Sequence, residues 1–185
     1  MSQVIEISKK EFNQLSAPEK RILIAKDVIK QIELKRYLAK SGSYIELPYT
    51  GKYRTLYNTN LDIKQNFEEI DNCEVCAMGA CILSLTKIKN KLNFSDIGGT
   101  VTSLNKEKVK SLFNKTFTPR QLLMIETAFE KGTTGDKLGR EFYNHRLTLD
   151  EIFKCLNYAK KYSSSKSLLI AIMQNIIDNK GMFIP

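Results

Sequence analysis

The sequence predicts a mainly α-helical fold, a compact bundle of six or seven helices with a small β-hairpin near residues 44–57, and three observations carry that expectation. Helix-start signatures recur at Ser16-Ala17-Pro18-Glu19, Thr118-Pro119-Arg120-Gln121 and Thr148-Leu149-Asp150-Glu151. Each pairs a hydroxyl that caps free amides with a Glu or Gln three positions on, and the first two add a proline inside the first turn. Behind the first, Ile22, Ala25, Val28, Ile29 and Ile32 recur at three- and four-residue steps while Lys26, Lys30 and Glu33 fall on the opposite face. Only residues 44–57 have the aromatic and β-branched flavour of strands.

In chain order, the first helix begins at Ser16 and is expected to run to a stop at Ser41-Gly42-Ser43. Tyr44-Ile45-Glu46-Leu47 and residues 52–57 read as two short strands around a turn at Pro48 to Gly51. The tyrosines 44, 49, 53 and 57 fit strand packing against helices better than a stacking surface for nucleotide bases. Residues 61–70 read as a short helix. Residues 74–88 read as a buried central helix, apolar on nearly every side, in which Gly79 lets another element approach closely. Beyond Gly98-Gly99, Ser103 is placed to cap a basic helix carrying Leu104, Val109, Leu112 and Phe113. The helix after Thr118 takes Leu122, Leu123, Met124, Ile125 and Phe129, and the helix after Thr148 buries Ile152, Leu156 and Tyr158 in part. Ser165 introduces a last helix over 166–178, and Gly181 suits a left-handed stop. No repeat is visible and Ser163-Ser164-Ser165 is too short for an interdomain linker, so residues 1–185 are expected to form a single helical domain.

Composition narrows the classes. A chain of 185 residues with 42% hydrophobic and 26% charged residues buries enough surface to fold without disulfides or a structural metal. Its longest apolar run, Leu168 to Met173, falls far short of the roughly 18 residues of a membrane span. Met1 to Glu6 lacks a basic region leading into an apolar stretch, so a cytoplasmic location is expected and no membrane partner. The net charge of +9 favours acidic or phosphate-rich partners without choosing among them. Its lysines are scattered, and solvated helix faces account for most of them.

Among candidate sites, Cys73-x2-Cys76-x4-Cys81, with Cys155 or the single histidine, His145, as a fourth ligand, invites a zinc or iron–sulfur reading. A second CxxC pair is missing, and Cys76 and Cys81 sit in an apolar run made for burial, so reduced buried thiols, no metal and no cofactor are expected. A single histidine beside no nucleophile motif makes no catalytic site. Glu68-Glu69 and Asp150-Glu151 are adjacent, so neither pair flanks one bond on a helix. The chain is therefore expected not to be an enzyme. The best phosphate or nucleic-acid contact is the segment 132–140, where glycines free the backbone and Thr133, Thr134, Lys137 and Arg140 supply hydroxyls and cations, although the Gly-Lys-Ser/Thr ending of a phosphate loop is missing.

Residues 72–81, Asn-Cys-Glu-Val-Cys-Ala-Met-Gly-Ala-Cys, resemble the Cys-Ala-x-Gly-Ala signature of small uncharacterised bacterial and phage proteins, and Ala171 to Ile177 is similar to their endings. That resemblance covers about a tenth of the chain on a motif that brings no chemistry with it. It implies a phage or mobile-element accessory protein in the host cytoplasm. The leading expectation is a binding module that inhibits a host defence complex by occluding a protein, RNA or nucleotide site. The alternative is a virion or assembly protein that forms homo-oligomers.

Overall fold

The computed structural model describes residues 7–42, 44–47, 71–89, 106–131 and 146–185. Among them are seven helices and three short strands: α1 (Lys9–Gln14), α2 (Ala17–Glu33), β1 (Tyr37–Ala39), β2 (Ile45–Glu46), β3 (Cys73–Val75), α3 (Ala77–Lys89), α4 (Lys106–Phe113), α5 (Pro119–Phe129), α6 (Leu149–Ala159) and α7 (Ser165–Asp178). The mainly helical class with a small β element is as the sequence predicts.

Helix starts follow local chemistry closely. Ser16 accepts from the Glu19 amide while the Glu19 carboxylate accepts from the Ser16 amide, and Thr148 with Glu151 repeats the arrangement. Thr118 caps α5 through the Gln121 amide. The same device at Ser8 and Glu11 starts α1, which the sequence does not announce because one helical turn and a half carries no apolar period.

Helix ends depart from expectation. α2 stops at Glu33, eight residues before the Ser-Gly-Ser stretch expected to end it. Lys35 takes a left-handed conformation at φ 61°, the Arg36 amide donates to Gln31 O at 3.0 Å and the Lys35 amide to Ile32 O at 3.1 Å, which is a Schellman stop built without glycine. Lys115, Lys131 and Lys180 likewise have positive φ, each two residues beyond a helix end. A cation there also faces the negative end of the helix dipole.

The stop at Lys35 frees Tyr37–Ala39 to become β1. The sheet order is β1-β3-β2, with β1 parallel to β3 (Tyr37 opposite Cys73, Ala39 opposite Val75) and β2 antiparallel to it (Ile45 opposite Val75). The expected hairpin is thus corrected in its described part: Ile45–Glu46 pairs with Cys73–Val75, and residues 48–57 lie outside the described residues. The expected start of the central helix at Glu74 moves to Ala77 for the same reason. A continuous apolar run does not distinguish a buried strand from a buried helix, and here Cys73 and Val75 face inward as strand residues.

α3 is central, buried from Ala77 to Thr86, and packs against α1, α2, α4, α5 and β3. Around it α7 lies along α2, and α6 lies on α5. Three cations are interior fasteners. Arg21 donates to Gly181 O and to Thr116 O (2.7 Å), tying α2 to the turn after α4 and to the carboxyl-terminal segment. Lys89 reaches Leu112 O at 2.7 Å, and Lys89 and Lys20 each sit 5.8 Å from the Phe12 ring, holding α1 down. The Gln121 side chain donates to Phe183 O and accepts from Phe183 N, while Asn175 does the same for Ile184, so two amides grip successive residues of the tail.

Candidate functional site

The residues expected to contact phosphate, Thr133, Thr134, Lys137 and Arg140, lie outside the described residues, as do His145 and Gly98-Gly99. The thiols are placed. Cys73 is on β3, Cys76 just ahead of α3, Cys81 within α3 and Cys155 on α6, all reduced and buried. Burial pushes each thiol up, Cys81 and Cys155 to about 12, so all four rest as thiols near neutral pH, the weakly nucleophilic form. Among the described residues no group of three or more His, Cys, Asp or Glu side chains is placed to hold a metal ion.

The Cys-Ala-x-Gly-Ala stretch has a structural explanation. The Cys76 amide donates to Tyr44 O at 3.2 Å, and its sulfur accepts from the Gly79 amide at 3.4 Å, capping α3. A Cβ at Gly79 would lie 1.6 Å from Tyr44 O. The motif lets the chain preceding β2 lie directly on the helix backbone.

Beside this crossing is the one acidic pair drawn into the interior among the described residues. Tyr44 donates its hydroxyl to Glu126 Oε1 at 2.8 Å, and Glu130, one turn on along α5, accepts from the Gly42 amide at 2.9 Å. Glu126 Oε2 is buried without a hydrogen-bond partner among the described residues. Burial, with the Glu130 charge adding to it against the Tyr44 hydrogen bond, raises the Glu126 carboxyl to about 8. Glu126 is consequently neutral through the acid range and mostly so at neutrality. The Tyr44 hydroxyl is pushed above its ordinary range, first by burial and then by Glu126. Together these groups fasten Gly42 and Tyr44 to α5 and its C-cap. A buried carboxyl raised to about 8, with one oxygen lacking a partner among the described residues, is also the nearest approach to acid–base chemistry among them.

The surface offers a different feature. Leu149 is 73% and Phe153 61% exposed, one turn apart on α6, whose opposite side buries Glu151, Cys155, Tyr158 and Ala159. Leu156 is half-buried and Lys160 exposed, so Leu149, Phe153, Leu156 and Lys160 follow one another at steps of four, three and four. Asp150 pairs with Lys154 at 2.6 Å and Glu151 with Arg120, which leaves the neighbouring Lys160 and Lys166 without a carboxylate partner among the described residues. The Thr148 cap is legible in the sequence, whereas this second stripe is masked by the apolar residues of the buried face beside it. The four-three-four spacing alongside the buried one was the signal.

No protein-family model, curated protein or solved structure matches the chain. No helix among the described residues is long and apolar enough to cross a membrane.

Proposed function

We propose that the chain is a non-enzymatic binding module that works by occlusion, covering a site on its partner with the exposed face of α6. The observation that carries this reading is the pair Leu149 and Phe153, held open to solvent on a helix whose opposite side is packed into the core. The interior groups have structural duties that need no substrate: thiols fill the core, Arg21 and Lys89 tie elements together, and Glu126 anchors Tyr44. The resemblance of residues 72–81 to small phage-encoded proteins supplies the setting, an accessory protein in the host cytoplasm directed against a host defence complex. Native mass spectrometry of the chain purified from its own cells, with and without nuclease, tests the reading. A bound macromolecule that is released from L149S/F153S supports it. A homo-oligomer carrying nothing else overturns it and favours a self-associating virion or assembly protein.

A further inference from the structure

Resting on that reading, we propose that α6 docks an acidic, amphipathic helix of a partner protein, with Leu149 and Phe153 as apolar anchors and Lys160 as the charge-selecting end. Steps of four, three and four are those of a helix–helix seam rather than of a flat contact surface. α6 therefore carries two apolar stripes, one spent on Cys155, Tyr158 and Ala159 in the core and one unspent.

Charge selects the occupant. Residues 146–166 hold five cations against two carboxylates, and both carboxylates are already paired, Asp150 with Lys154 and Glu151 with Arg120. A second copy of a chain with net charge +9 would bring cations to cations. A nucleic acid would meet the lysines but leave Leu149, which has no π-face to stack a base, in contact with phosphate and water. An acidic helix satisfies both halves of the face at once. Phe153 and Lys160 are two turns apart, roughly 10 Å along the axis, so the partner should present apolar residues at one end and carboxylates about two turns away. With Leu149 to Lys160 spanning only about 16 Å, the contact belongs in the micromolar range.

The test is to pan a displayed library of random peptides of about 16 residues, long enough for four turns, against the intact chain, L149S/F153S and K160E. Expected is enrichment of net-negative peptides with apolar residues at helical spacing. Their binding should weaken at least about tenfold on L149S/F153S and less on K160E. Both variants should keep the parent melting temperature, because the replaced side chains face solvent. Enriched peptides without an acidic bias, equal retention by all three proteins, or no enrichment at all would overturn the proposal. So would an oligothymidylate probe that binds the chain and is lost on L149S/F153S, or a concentration-dependent dimer abolished by that change. Partner release by L149S/F153S in the mass-spectrometric experiment, combined with non-acidic enriched peptides, leaves the binding-module reading standing while the acidic-helix proposal fails.

Discussion

At the scale of single residues, two backbone positions show opposite uses of the left-handed and side-chain-free options. Gly79 is required by contact, not by φ: any Cβ meets the Tyr44 carbonyl, which is backbone and not the movable end of a side chain. Gly79→Ala should cost more than about 3 kcal/mol, read as a collapse of the thermal transition or loss of folded protein. Lys35 is the converse case. It holds a left-handed conformation that a lysine adopts at a cost of about 1 kcal/mol, with nothing but the helix stop demanding it. Lys35→Gly should raise stability by about 0.5 kcal/mol after the larger entropy of the unfolded glycine and the lost dipole contact are subtracted. A shift of the urea midpoint at constant slope would register the gain. Lysines at four helix stops also give part of the basic composition a conformational role unrelated to any anionic partner.

At the scale of elements, starts were more legible than ends. Capping pairs at Ser16 and Thr148 announce helices because the donor and acceptor are both named in four consecutive residues, whereas Thr118 caps α5 alone, the Gln121 side chain expected to complete its pair being turned to Phe183. The end of α2 is invisible because Lys35 resembles any surface lysine until its φ is known, so that Tyr37–Ala39 reads as more of the helix. β3 reads as the start of α3 because its three residues join an apolar run without a break. The candidate site divides in the same way: the Thr148 cap locates α6, but which of its apolar residues remain exposed is decided by where α5 lies, a long-range fact. The carboxyl-terminal segment depends on a side chain that already has a place on α5. Gln121→Ala leaves both backbone groups of Phe183 unpaired in a buried setting, at about 1–3 kcal/mol. Hydrogen exchange should accelerate at the Phe183 amide while the amides of α3 keep their protection relative to the lowered global stability.

At the scale of the whole molecule, the interior acid sets a pH dependence. The folded state keeps the Glu126 proton up to about pH 8, whereas the unfolded chain releases it near 4.5. The contribution of this group is therefore fully present below about pH 4.5, is lost progressively as pH rises toward 8, and is constant above. Tyr44 and Glu130 face the same carboxyl, and Glu130, itself raised by burial, adds a slope of the same sign. In denaturant titrations, the stability of the parent relative to Glu126→Gln should fall between about pH 5 and 8, since the amide cannot titrate. A difference that stays flat across that interval would show that Glu126 ionises normally. Glu151 runs the other way, held below its ordinary range by Thr148 and Arg120 against burial, and its contribution is lost as pH falls.

The guanidinium of Arg21 sets an order in time. It belongs to the first long helix, yet its acceptors are carbonyls at Thr116 and Gly181, the second 160 residues further along. At ribosomal rates of 5–20 residues per second, on the order of ten to thirty seconds separate the synthesis of the donor from that of its last acceptor. Until residues 165–181 have emerged α2 lacks the helix that lies along it, and of its two carbonyl acceptors Arg21 has only that of Thr116. A nascent chain halted before Ser165 should present that open groove to chaperones, and emergence of residues 165–181 is the event that closes it.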